Sequence, residues 1–79
     1  MTFSEYDVVA ITEDILTSHE QTCAPILLKK GQVGTVLMIF DDEACLIDFS
    51  DEEGQTYAME TVSLAKLMPL FHSPVLAAA

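Results

Sequence analysis

Two short acidic turns divide the middle of the chain into three segments of strand length, and this spacing constrains the fold more than any other feature. The turns are residues 41–43 (Asp-Asp-Glu) and 51–54 (Asp-Glu-Glu-Gly). Beside them, apolar residues recur at alternate positions, which is the period of a strand with one buried face. A three-residue loop and a type I turn followed by glycine are both common hairpin connections. The sequence therefore predicts a three-stranded antiparallel meander.

The two turns also predict which face of the meander is buried. The first turn gives three pairs on one face: Ile39 with Cys45, Leu37 with Ile47, and Thr35 with Phe49. The second turn gives two more pairs on that face: Phe49 with Tyr57, and Ile47 with Met59. Both turns select Cys45, Ile47 and Phe49, and this agreement between independent signals favours them as the core.

Shorter segments complete the prediction on either side of the meander. Residues 6–12 are rich in β-branched side chains and predict a first strand. Residues 13–30 show neither a helical nor a strand period and are predicted to form a long loop, where specificity is often carried. Ser63 can cap one short helical turn ahead of a last strand at 68–70.

This order of elements is that of an SH3-like barrel, a scaffold that hosts many unrelated functions. We therefore predict an all-β protein, a small five-stranded SH3-like barrel with a long loop after the first strand and one helical turn before the last. The length of 79 residues allows one domain, which we place at residues 1–71. The tail at 72–79 shows no strand pattern, and we expect it to be mobile.

Four segments resemble an uncharacterised bacterial family, domain-of-unknown-function family 4926 (DUF4926). They are 6–9 (Tyr-Asp-Val-Val), 29–36 (Lys-Lys-Gly-Gln-Val-Gly-Thr-Val), 49–54 (Phe-Ser-Asp-Glu-Glu-Gly) and 67–70 (Leu-Met-Pro-Leu). The resemblance runs from about Tyr6 to Leu70 and implies a fold without implying an activity or a catalytic residue. The chain departs from the family at Met38 and Leu46, where the resemblance implies polar or charged side chains.

The charge balance is strongly acidic, with 13 Asp and Glu against 3 Lys and Arg and a formal net charge of −10. Such a field repels phosphate backbones and anionic membrane surfaces, so we expect no direct binding to nucleic acid or membrane. The same field would steer a basic partner towards the chain. Two cysteines and no opening signal-peptide pattern lead us to expect a cytoplasmic protein.

Residues that could carry chemistry are few and poorly spaced. The candidate zinc ligands are Cys23, Cys45, His19 and His72. They lack the tight Cys-x-x-Cys spacing that structural zinc sites use. The acidic turns could offer calcium carboxylate oxygens, but they lack the EF-hand pattern, and such triplets are more often solvated turns. Because phosphate-loop and nucleophile motifs are also missing from the sequence, we predict no catalytic residue, no metal and no cofactor.

The second face of the central hairpin is apolar where an open sheet is normally polar. Its members are Val36, Met38, Phe40, Ala44 and Leu46. The acidic residues around it are Asp41, Asp42, Glu43 and Asp48. We predict that Val36, Met38, Phe40 and Leu46, rimmed by these four carboxylates, form a partner-binding strip. Two alternatives stay open: barrel curvature buries both faces in part, or the tail at 75–76 (Val-Leu) covers the strip.

These observations predict a non-catalytic protein-binding module whose unknown partner is basic or amphipathic. Hydrophobic anchors would supply affinity, and carboxylates would set approach and orientation. One alternative is an antitoxin or inhibitor-like nucleic-acid mimic that neutralises a basic partner, motivated by charge alone. Another is self-association through the strip as a symmetric homodimer. A small enzyme or metal-binding subunit is the remaining alternative.

Overall fold

The computed structural model describes residues 2–77 and shows seven strands in two antiparallel sheets. The strands are β1 (Val8–Ile11), β2 (Ile15–Ser18), β3 (Pro25–Leu28), β4 (Val33–Phe40), β5 (Ala44–Ser50), β6 (Thr56–Ser63) and β7 (Leu67–Pro69). The helical content of the described chain is one 3-10 turn at Leu64–Lys66. The prediction of an all-β fold is therefore confirmed.

The five strands that the sequence predicts form one sheet, in the order β6-β5-β4-β1-β7. β1 lies between β4 and β7, with Val9 opposite Gly34 on one side and Pro69 on the other. β6 and β7 are the two edges, so the sheet is open. The element order is the one predicted for an SH3-like barrel, but backbone pairing within residues 2–77 does not close the barrel.

The predicted helical turn before the last strand is present. The Ser63 hydroxyl accepts a hydrogen bond from the Ala65 amide at 3.4 Å, which caps the 3-10 turn as the sequence predicts. β7 follows directly at Leu67–Pro69. Residues 72–77 form no strand, as expected for a tail, while Ala78 and Ala79 lie outside the described residues. The mobility of this tail stays a prediction.

The segment 13–30 is not the structureless loop that the sequence predicts, because it contains a hairpin. β2 and β3 are antiparallel, and their register gives four residue pairs: Ile15 with Leu28, Leu16 with Leu27, Thr17 with Ile26, and Ser18 with Pro25. Each strand has four residues, too short for a period to show in the sequence. The hairpin packs over the core face of the sheet through Leu28, which is fully buried.

His19 organises the connection between β2 and β3. Its Nδ1 atom accepts hydrogen bonds from the amides of Gln21 at 3.1 Å and Thr22 at 3.3 Å. The backbone closes the same turn, since the His19 amide donates to the Ala24 carbonyl at 2.8 Å. Cys23 adopts a φ of 61° within this turn. The His19 side chain thus stabilises a turn in which residues 19–24 include no glycine or proline, the residues that usually predict a hairpin turn.

The core lies between the large sheet and the hairpin, and the middle strand supplies its centre. Cys45, Ile47 and Phe49 are all fully buried, which confirms the predicted core face of β5. The other buried apolar residues in this cluster are Phe3, Val9, Ile11, Leu28, Val36, Ala58, Val62 and Leu67. Burial of each large side chain contributes about 1.5–3 kcal/mol, so this stripe is a principal source of stability.

The register of the first hairpin agrees with the prediction near the turn and departs from it beyond a bulge. The confirmed pairs are Met38 with Leu46, Ile39 with Cys45, and Phe40 with Ala44. A bulge between Val36 and Met38 then places Val36 opposite Ile47, where Leu37 was predicted, and Thr35 opposite Asp48. Because a bulge adds one residue to one strand, Val36 turns inward and is 0% exposed.

The second hairpin has the predicted turn but also contains an unpredicted register shift. The Asp51 amide donates to the Gln55 carbonyl at 2.9 Å, and Gly54 has a φ of 80°, as a glycine-closed turn requires. Beyond this turn the register shifts between Phe49 and Ser50. The predicted pairs were therefore wrong: Phe49 lies opposite Ala58 instead of Tyr57, and Ile47 lies opposite Glu60 instead of Met59.

Gly34 allows β4 and β5 to approach closely, which gives a stability prediction. A Cβ atom at this position would overlap the Cγ2 atom of Ile47 and lie 3.1 Å from the Phe49 ring. Gly34→Ala should lower the free energy of unfolding by about 1–3 kcal/mol, as measured by urea denaturation. The cost should be smaller in an Ile47→Leu background, which lacks the Cγ2 branch. An unchanged urea midpoint for Gly34→Ala would contradict this packing.

The two cysteines give a second prediction, because one is buried and the other is exposed. Burial raises the pKa of the Cys45 thiol, and the nearby charge of Asp7 raises that pKa further. At pH 8 a thiol-specific chromogenic reagent should therefore react quickly with Cys23 alone in the folded protein and with both thiols in guanidinium. Cys23→Ser should abolish the fast reaction. Rapid modification of Cys45 without denaturant would be inconsistent with the core described above.

Candidate protein-binding surface

Four of the apolar residues singled out in the sequence form one cluster on the outer face of the large sheet. Met38 is 51% exposed and Phe40 is 39% exposed, while Ala44 and Leu46 are half-buried. Met38 lies opposite Leu46 and Phe40 lies opposite Ala44, so the four side chains form two adjacent cross-strand pairs. We call this cluster (Met38, Phe40, Ala44 and Leu46) the outer strip.

Val36 does not belong to the outer strip, although the sequence places it there. The bulge after Val36 turns the valine side chain inward, and Val36 belongs to the same core cluster as Ile47. A fully buried valine cannot touch a partner that docks on the outer face. Its predicted role in binding is therefore corrected to a structural one.

The outer face extends beyond the strip onto both neighbouring strands. Thr61 lies opposite Leu46, and Met59 lies opposite Asp48, so β6 adds an exposed methionine to this face. On the other side, Val8 lies opposite Thr35 and is also exposed. Sequence reasoning missed Met59 because the predicted register turned it inward. The signal that could have found it is the small apolar side chain of Ala58, which lies opposite Phe49 and is 0% exposed.

The predicted carboxylates lie at two places around the outer strip. Asp41, Asp42 and Glu43 are exposed in the β4–β5 turn, next to Phe40. Asp41 and Asp42 have φ values of 49° and 54°, a left-handed conformation that aspartate adopts more readily than most residues. The Glu43 amide donates to the Phe40 carbonyl at 2.9 Å and closes the turn. Three carboxylates are thus held at one end of the strip.

The fourth carboxylate, Asp48, lies on the outer face itself. It is half-buried, and its Oδ1 atom accepts hydrogen bonds from the hydroxyls of Thr56 at 2.7 Å and Ser50 at 3.2 Å. These two hydroxyls fix the orientation of the carboxylate beside Met59. The structure therefore brings all four predicted acidic residues close to the strip.

The sequence left two alternatives for the strip: cover by the tail at 75–76, which the structure contradicts, and partial burial of both sheet faces, which it supports only in part. Val75 is 90% exposed and Leu76 is 93% exposed, so the tail up to residue 77 does not cover the strip. Leu46 and Ala44 are half-buried, as burial of both faces in part would predict, yet Met38 and Phe40 keep large exposed fractions. Residues 2–77 consequently leave the outer strip accessible to a partner.

A second exposed apolar pair lies on the β2–β3 hairpin, where the sequence predicted no strand. Leu16 is 76% exposed and lies opposite Leu27, which is 50% exposed. This pair resembles the Met38–Leu46 pair in geometry, but the acidic turn of the strip lies on a different hairpin. It therefore serves as a matched comparison for the outer strip.

The residues named as candidate metal ligands in the sequence do not come together in the described chain. Among residues 2–77, no three His, Cys, Asp or Glu side chains are grouped so as to hold a metal ion. The surface formed by these residues also contains no pocket. The Nδ1 atom of His19 is engaged by two amides in its turn, and Cys45 is enclosed by the core. No helix in this part of the chain is long and apolar enough to span a membrane.

Comparison with known proteins identifies the family but adds no function. Neither a curated protein nor a solved structure matches the chain. The sequence model of the family described as "Domain of unknown function (DUF4926)" matches residues 5–69, from the segment before β1 to the last residue of β7. This range contains every strand of both sheets. The chain therefore belongs to the DUF4926 family.

Proposed function

We propose that this protein is a non-catalytic protein-binding module whose outer strip contacts a basic or amphipathic surface of its partner. The observation that supports this function is an exposed apolar cluster on a sheet face, held beside four carboxylates. Exposed sheet faces are normally polar, and contiguous apolar patches with a polar rim are typical of interaction sites.

The apolar members of the strip suit the role of binding anchors. Met38 and Phe40 project from adjacent outward positions of β4 and retain enough exposed surface to be buried by a partner. Methionine is flexible and polarisable, so it adapts to a partner surface, and a buried aromatic ring contributes a large contact area. Leu46 lies opposite Met38 on the neighbouring strand and extends the apolar surface.

The distribution of charge favours a basic partner. Asp41, Asp42 and Glu43 occupy one end of β4, whereas Lys29 and Lys30 precede its other end. Lys66, the remaining cation, forms an ion pair with Glu13 at 2.9 Å. Two of the three cations thus precede the other end of β4, and the third is already paired with a carboxylate. Complementary charge of this kind raises association rates and sets orientation.

The proposal is tested by a pair of double variants with the same change in charge. Met38→Asp with Leu46→Asp should reduce capture of the partner from a lysate of the source cell by at least about tenfold, since it removes two anchors. Leu16→Asp with Leu27→Asp alters a matching cross-strand pair on the other hairpin and should leave capture unchanged. Quantitative mass spectrometry of the captured proteins measures both effects.

Two further measurements, of thermal stability and of salt dependence, complete the test. Thermal unfolding should show that both double variants remain folded, because the four substituted side chains lie outside the core cluster. Equal capture by the wild-type protein and the folded strip variant would refute the proposal. Binding that depends on the strip should also persist at about 1 M salt, where the Debye length falls to about 3 Å. A nucleic-acid mimic, whose binding is electrostatic, would release its partner under these conditions.

A further inference from the structure

The outer edge of β6 carries backbone groups that have no partner strand. β6 pairs with β5 on one side, and the ladder continues into the Leu64 amide, which donates to the Glu43 carbonyl at 3.0 Å. Alternate residues of an antiparallel strand direct their N–H and C=O groups to opposite sides. The backbone groups of Met59, Thr61 and Ser63 therefore point away from β5.

Within residues 2–77, backbone pairing along this edge consists of one hydrogen bond. The Tyr57 carbonyl accepts a hydrogen bond from the Glu20 amide at 2.8 Å. From Met59 to Ser63, no strand within residues 2–77 pairs with the edge, although β2 approaches the inner face of β6 through a hydrogen bond from the Thr17 hydroxyl to Glu60. A row of unpaired donors and acceptors on an eight-residue strand is a template for another extended segment.

The opposite edge of the sheet is protected in a way that the β6 edge is not. β7 has three residues, and the Leu70 amide donates to the Val8 carbonyl at 3.1 Å. By the same alternation, the backbone of Pro69 points outward, and proline has no N–H group to offer there. Short strands and proline are common means of blocking edge pairing. The sheet is thus open to augmentation at β6.

The charges around this edge indicate what could pair with it. Glu20 is anchored at one end through the hydrogen bond from its amide to the Tyr57 carbonyl, and Glu43 lies at the other end, where its carbonyl accepts from the Leu64 amide. A second copy of this chain would bring the same carboxylates and a net charge of −10 against another −10. Like charges across an interface disfavour that pairing. A segment rich in lysine or arginine would instead be attracted to these carboxylates.

We infer that the free edge of β6 accepts an extended strand that carries lysine or arginine side chains from a basic protein. This inference rests on the proposed function and specifies how the partner docks. The partner backbone completes the ladder at Met59, Thr61 and Ser63. Its outward side chains then lie beside Met59 and Thr61, next to Leu46 of the outer strip. Edge pairing and the apolar contact thus act on one continuous surface.

Thr61→Pro tests the inference because it removes one outward N–H group and leaves the ladder to β5 intact. The control, Thr61→Val, keeps that N–H group and the branched shape of the side chain. The probe is an acetylated, amidated octapeptide of alternating lysine and valine, and the matched probe replaces each lysine with glutamate. Wild type and Thr61→Val should bind the lysine peptide equally, Thr61→Pro at least about tenfold more weakly, and none should bind the glutamate peptide.

Amide hydrogen exchange of the wild-type protein locates the bound peptide even if Thr61→Pro fails to fold. The lysine peptide should slow exchange at Met59, Thr61 and Ser63. Undiminished binding to folded Thr61→Pro, or slowed exchange that excludes these three amides, would overturn the inference. The two proposals also separate in the capture experiment. If folded Thr61→Pro keeps its partner while the strip variant loses it, the proposed function holds and edge pairing falls.

Discussion

The inward alignment of Cys45, Ile47 and Phe49 is the constraint on which the rest of this structure depends. β5 is the second strand of the sheet; it pairs with β6 from Ala44 to Ser50 and with β4 from Ala44 to Asp48. Once its alternate residues enter the core, Leu46 and Asp48 must face outward, because successive side chains of a strand point to opposite faces. The outward position of the outer strip is a geometric consequence of this core. The core does not require the outward residues to be apolar.

Two bulges then determine which residues share the outer face. The bulge in β4 turns Val36 inward while keeping Met38 and Phe40 outward. The register shift between β5 and β6 buries Ala58 and exposes Met59 beside Asp48. The same region of β6 has an unpaired backbone edge, so apolar side chains, a fixed carboxylate and free hydrogen-bonding groups meet there. A binding surface of this kind can combine affinity from burial with orientation from backbone pairing.

The features that the sequence predicted correctly are those set by local chemistry. The turn at 51–54 has its closing hydrogen bond and its glycine, the Ser63 cap is present, and the alternation along β5 identifies the core. The positions of the two register shifts, between Val36 and Met38 and between Phe49 and Ser50, could not be predicted, because no glycine marks either shift in the alternating pattern. The β2–β3 hairpin was missed for another reason: its turn is held by the His19 side chain and its strands are too short to show a period.

The most direct test of this account is the solvent accessibility of individual methyl groups, measured by NMR with a soluble gadolinium relaxation agent. Val36 lies in the core and Met38 lies on an open outer face, although a single residue separates the two. We therefore expect strong relaxation of the Met38 and Met59 ε-methyl signals and little effect on the Val36 γ-methyl signals. Relaxed Val36 methyls, or Met38 and Met59 methyls shielded from the agent, would contradict both the bulge and the exposed surface that depends on it.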